Sequence, residues 1–96
     1  MRVAISDKAR FDLLRIYRYI EERSPSAAGA FIRRIDTSFG NLARFPFIGR
    51  ERSRLVPGLR GLVVGVHLVF YTIESDRITV VRVIDGRMDV DEEFHR

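Results

Sequence analysis

Few side chains in this sequence could do chemistry, and most of those are arginines. There is no cysteine, so thiolate nucleophiles, disulfides and cysteine-ligated metals are excluded together. The two histidines, His67 and His95, would need carboxylates at unusual spacing to complete a zinc site, so no metal is expected. His67 lies in VGVHLVFY with no orienting carboxylate near it in sequence, and reads as a strand-edge histidine rather than a general base. His95 reads as frayed. Asp89, Asp91, Glu92 and Glu93 fall together, but as the solvated charge of a tail rather than a catalytic pair. Walker A, GxGxxG and nucleophile-elbow patterns are missing, and no Ser/His/Asp arrangement shows by spacing. No cofactor is expected.

The arginines remain. Residues 1–60 carry 13 of the 17 basic residues and 6 of the 13 acids, while residues 61–96 carry 4 bases and 7 acids. The first stretch is therefore net +7 and the second −3. Every base except Lys8 is arginine. This bias fits two explanations: a G+C-rich coding composition, or a surface for phosphates or an acidic partner protein, because the planar guanidinium forks onto both. Arg50, Arg52 and Arg54 alternate, so an extended chain projects them to one side. Arg44, Arg60, Arg82 and Arg87 join them if the loop folds beside the end of a sheet. Ion pairs with Glu51, Asp85 and Asp89 would remove some of them from that surface. No groove-reading helix or stacking-aromatic motif accompanies the arginines.

The elements that must position these residues are legible. Ninety-six residues make one domain, 1–96, with a small core at 46% hydrophobic. RVAIS alternates as a short strand. Ser6 suits an N-cap, and Ala9, Leu13, Ile16 and Ile20 recur at helical spacing through DKARFDLLRIYRYIEER. Ser24 and Pro25 open a second helix, whose apolar stripe is Ala28, Phe31, Ile32, Ile35, Phe39 and Leu42 and which RFPFIGR stops. So short a break makes an antiparallel helical hairpin. Residues 44–60 read as irregular. LRGLVVGV, HLVFYTI and RITVVRVI are strands, the last two joined at ESDR. The order β-αα-βββ predicts an α+β domain, a helical hairpin packed on a small, mostly antiparallel sheet. No charged leader with an apolar stretch and no long apolar run occurs, so a cytoplasmic protein with no membrane contact is expected.

The last two strands are apolar on both faces, yet two helices cover only one face of so small a sheet. The second face needs the tail and the long loop, a second copy, or a partner protein; the reading favours a partner.

The segments DLLRIYRYIEERSPSAAGAFIRRI, LARFPFIGRERSRLVPGLRGL and HLVFYTIESDRITVVRVIDGRMD resemble the ParE branch of the RelE/ParE toxin superfamily, from type II toxin–antitoxin (plasmid stabilisation) modules. The specific parts are P-x-x-G-R at Pro46, Gly49 and Arg50, GLR at Gly58–Arg60, VFY at Val69–Tyr71 and RV-x-x-G-R-x-D from Arg82 to Asp89. The resemblance implies the β-αα-βββ fold and a cognate antitoxin, ParD-like or other, whose C-terminal segment wraps the toxin in a hetero-oligomer. It implies one of two activities. ParE-type relatives poison DNA gyrase without catalysis of their own. RelE-type relatives cut mRNA on the ribosome with basic residues and a C-terminal tyrosine.

The tail bears on that choice. Aligned by its glycine, DGRMDVDEEF puts Met88 where the RelE-type arginine stands and Phe94 where the tyrosine stands. A phenyl ring has no hydroxyl, and a thioether cannot stabilise developing phosphate charge. A one-residue slip would restore Arg87 but not the tyrosine. Asp85 stands where many relatives have histidine. A non-enzymatic gyrase inhibitor is therefore expected; the alternatives are a ribosome-dependent endonuclease and a toxin-fold protein without activity. Target contacts are expected at Arg50, Arg52, Arg60, Arg82 and Arg87. Antitoxin contacts are expected at Tyr17, Phe31, Val69, Tyr71, Val81 and Val83.

Overall fold

The computed structural model describes residues 1–95. Strand β1 (Arg2–Ile5) leads into helices α1 (Asp7–Arg23) and α2 (Pro25–Arg44), then β2 (Arg50–Glu51), β3 (Leu59–Val64), β4 (His67–Ile73), β5 (Arg77–Asp85) and a short α3 (Val90–Phe94). The helix starts follow from local chemistry. The Ser6 hydroxyl accepts from Ala9 N–H, and the Ser24 hydroxyl accepts from Ala27 N–H with Pro25 behind it. Each cap satisfies an amide that the helix itself cannot.

The sheet has the order β1-β5-β4-β3-β2. β1 lies parallel to β5, and every other pair is antiparallel. Gly65, at φ 63°, makes the turn between β3 and β4. β2 is a correction to the irregular reading of residues 44–60: Arg50 and Glu51 pair with Gly61 and Arg60. Two residues are too few for a strand pattern to show in sequence.

One sheet face meets α1 and α2. Its core is Ala9, Phe31, Ile35, Leu42, Val69, Tyr71, Ile78, Val80 and Val83, all buried. Ile32, counted in the α2 stripe, is 39% exposed, and Ser38 is buried in that helix instead. The opposite face carries Leu59, Leu68, Phe70 and Ile84. Leu55 and Val56 of the long loop pack on it with Val90 and Phe94 of the tail, Phe94 standing edge-on to Phe70 at 4.9 Å. The tail and loop therefore cover the face for which a partner was favoured. A five-residue amphipathic helix leaves too weak a periodicity to announce that role. Asp89 caps it by accepting from Glu92 N–H. Phe94→Ala should lower stability by about 1–3 kcal/mol, the loss expected for a partly buried aromatic. An unchanged thermal midpoint would show that the tail does not hold this face closed.

A bulge breaks the β4–β5 register. Phe70 pairs with Arg82 but Tyr71 with Val80, leaving Val81 as the extra residue. The change of phase lets Val80 and Val83 face the same helices. It also sets Arg82 beyond the end of β1, whose last residue, Ile5, pairs with Val80.

Candidate functional site

The residues expected at functional surfaces divide into three groups. The first is a buried lock. Arg82 retains 8% exposure and Asp12 only 2%. Arg82 Nε donates to Asp12 Oδ2 at 2.8 Å, its Nη2 to Asp12 Oδ1 at 3.2 Å, and its Nη1 to the Glu93 carbonyl at 3.2 Å. Asp12 Oδ2 also accepts from Val83 N–H at 3.0 Å, capping the β5 edge that β1 leaves open. One forked guanidinium thus ties α1, β5 and α3 together. The assignment of Arg82 to a target surface is corrected: its charge is spent inside the domain. Asp12 escaped notice in the sequence, although it falls among Ala9, Leu13 and Ile16 on the inward side of α1. An acid in one apolar run and an arginine in another was the available signal.

The second group is a clamped turn. The Tyr71 hydroxyl accepts from Gly49 N–H at 2.8 Å and donates to the Pro46 carbonyl at 2.7 Å. Arg60 Nε donates to the Gly49 carbonyl at 3.0 Å, and its guanidinium lies 5.2 Å from the Phe47 ring centre. P-x-x-G-R, GLR and VFY, separate in sequence, therefore meet as one structural unit. Arg60 holds this turn with one side of its fork. Tyr71, with Val69 and Val83, is completely buried, and Phe31 is 6% exposed. These four are core residues, which corrects their expected place on an antitoxin surface. Val81 is half-buried under the tail. Tyr17 is half-buried on α1 and donates to Glu21 at 3.1 Å.

The third group is accessible. Arg50, Arg52 and Arg54 line one wall of a cleft of about 460 Å³, with Asp89 and Asp91 on the other. Arg50 and Arg54 are exposed, and Arg52 is half-buried with its Nε unpartnered. Among the described residues none of the three has a carboxylate within ion-pair distance, so this wall keeps its charge available. Arg87 lies apart, on a second cavity of about 400 Å³ that Arg15, Tyr19, His67, Asp85 and Met88 also line. It grips Asp85 in a fork at 2.7 and 3.0 Å. Those hydrogen bonds hold the Asp85 carboxyl well below the usual carboxylate range.

The carboxylate that sequence proximity did not supply for His67 is Asp85, its direct partner across β4 and β5. Burial lowers the His67 pKa; nearby Asp85 opposes that shift and Arg87 reinforces it. Its ring also meets Phe31 edge-on at 5.1 Å. A histidine whose folded pKa is depressed binds protons more readily when unfolded, so its contribution to stability is present above about pH 6.5 and is lost as pH falls towards the folded pKa. A titration followed at the His67 ring protons should give a midpoint below that of free histidine. A midpoint above it would reverse the sign.

The fold is that of small bacterial toxins. The chromosomal ParDE system from P. aeruginosa superposes with a TM-score of 0.75 at 23% identity, covering 88% of this chain and 95% of that one. The RelBE2 toxin–antitoxin complex from Mycobacterium tuberculosis gives 0.65 at 23% identity with the same coverage, and the YoeB/ParE toxin from Agrobacterium tumefaciens gives 0.61 at 16%, covering 88% and 98%. Residues 3–90 match the family of ParE toxins of the type II toxin–antitoxin system parDE, and the chain belongs to that family. Toxin ParE3 of Caulobacter vibrioides is 38% identical over 80 residues, which are 82% of this chain and 80% of the relative. Toxin ParE1 of M. tuberculosis is 38% identical over 65 residues, 67% of this chain and 66% of the relative.

Proposed function

We propose that this ParE-type toxin inhibits DNA gyrase by binding rather than by catalysis, and that a cognate antitoxin neutralises it. The family match over residues 3–90 carries this reading. Two features of the site support it. The ring of Phe94 is packed against Phe70, and the Arg87 guanidinium is taken up by Asp85. The target surface is the arginine wall of Arg50, Arg52 and Arg54, whose unpaired charge suits an acidic protein face or the phosphates of gyrase-bound DNA. The setting is the cytoplasm, where gyrase and DNA are found; no described helix is long and apolar enough to cross a membrane.

Purified chain mixed with gyrase and relaxed plasmid should abolish supercoiling or accumulate cleaved DNA. Combined Arg50→Ala, Arg52→Ala and Arg54→Ala changes should weaken that inhibition by about a hundredfold, since each removes a charge contact of about 1 kcal/mol. Supercoiling that continues unchanged at stoichiometric excess of the toxin would overturn the proposal.

One observation favours a second reading. His67, Asp85, Arg87 and Arg15 surround one cavity, the kind of residues an RNA-cleaving site uses. Codon-located cuts in translated message, removed by Arg87→Ala, would establish a ribosome-dependent endonuclease instead.

A further inference from the structure

The sheet is unfinished on one side. β2 pairs with β3 only at Arg60 and Gly61, so β3 runs on through Leu62, Val63 and Val64 with no strand outside it among the described residues. The direction of its backbone groups follows from the pairing already made. The Leu59 carbonyl accepts from Arg52 N–H, and Gly61 faces Arg50. Backbone groups alternate sides along a strand, so Val63 is the next residue to turn its N–H and C=O outward. A strand edge left open in this way is a template for another chain unless a protein blunts it with charge, proline or cover. Val63 itself is 68% exposed, and the residues on either side of it are apolar.

Beside this edge runs a groove of about 470 Å³ between β3 and the outer side of α2. Leu62, Val64 and Ile48 supply its apolar lining, and Ile48 is 49% exposed. Among the described residues the only charged ones lining it are Arg33 and Arg34, neither with a carboxylate in ion-pair distance. The Arg34 guanidinium stands over the Gly65 turn that closes one end, and the clamped turn bearing Ile48 closes the other. An open main-chain edge, an apolar trough and two free guanidinium groups are together what an extended, acidic, apolar-anchored peptide requires.

We infer that a short extended segment of the neutralising antitoxin adds to the sheet here, pairing with Val63 as the continuation of β2, with its apolar side chains in the groove and its carboxylates on Arg33 and Arg34. The inference rests on the toxin–antitoxin reading above and names where and how that partner engages. It also accounts for an edge that carries no blunting device at Val63.

The test uses the full chain, alone and co-purified with the product of the adjoining reading frame. Amide exchange at Val63 should be fast in the free chain and slowed by about a hundredfold or more in the complex, as for other ladder amides. Val63→Pro removes the outward N–H at an edge position where proline is tolerated, and should weaken the complex by about tenfold. Arg33→Glu with Arg34→Glu should weaken it similarly and flatten its dependence on salt. A complex in which the Val63 amide exchanges as fast as in the free chain overturns the strand-addition inference and leaves the toxin–antitoxin reading standing. Failure of the wild-type chain to form any complex overturns that reading and the inference with it. Protection of Val63 in the free chain, together with a dimer in sedimentation, assigns the edge to a second copy and overturns the inference as well.

Discussion

Arg82→Ala is expected to lower the unfolding free energy by about 3–5 kcal/mol, the cost of leaving a buried carboxylate without its partner. Asp12 would remain 2% exposed with one hydrogen bond, from Val83 N–H, and the looser, half-exposed Arg15 guanidinium at 3.8 Å in place of the two short Arg82 bonds. Against the roughly 5–15 kcal/mol that holds a domain of this kind together, that is a large fraction. Asp12→Ala should cost somewhat less, because Arg82 then keeps the Glu93 carboxylate at 3.9 Å and the Glu93 carbonyl as partners. Arg82→Lys should recover only part of the loss, since an ammonium cannot reproduce the fork or reach the Glu93 carbonyl at the same time. Urea denaturation of the three variants checks this. A midpoint for Arg82→Ala equal to that of the parent would show that the pair is not locked in solution. Weakened toxicity in an Arg82 variant should accordingly follow the amount of folded protein rather than the loss of a target contact.

Gly49→Ala should cost about 2–4 kcal/mol, the sum of overpacking and a disturbed hydrogen bond. A Cβ at this position would lie 2.5 Å from the Tyr71 hydroxyl oxygen and 2.6 Å from its ring, and Tyr71 is fully buried with nowhere to retreat. The turn is therefore glycine for want of space and not for its backbone angle, since the positive-φ glycines are Gly58 and Gly65. Gly40→Ala is the matching control. Nothing lies within 4 Å of its added methyl in α2, and helix propensity alone should make it stabilising by about 0.5–1 kcal/mol. Thermal melts of the two variants should move in opposite directions. A shift of the same sign in both would mean that the Tyr71 clamp yields.

The helical hairpin, the three long strands and their order were legible because each rests on local chemistry. Ser6 and Ser24 cap where a helix must begin, and Phe45 before Pro46 cannot extend one. The side-chain roles were less legible. The apolar residues of β4 and β5 were evidently buried, but an apolar strand reads the same whether helices, a tail or a partner covers it. Val69, Tyr71 and Val83 went to the core for that reason, and Phe94 closed the face expected of a partner. His67 and Asp85 stand 18 positions apart, and only strand register makes them neighbours.

By itself the sequence determined the order of the two long helices and the four longer strands, the charge carried by the arginine loop and, through motifs spread along the chain, the toxin family. Tertiary structure alone decided which arginines remain free to act. Arg50 and Arg54 keep theirs in solvent, whereas Arg82 surrenders its own to Asp12. That difference arises where a bulge at Val81 and the early end of β1 bring together two residues separated by 70 positions. An arginine between valines looks the same in sequence whether water or a buried carboxylate receives it, because the receiver is chosen by packing and not by its neighbours along the chain.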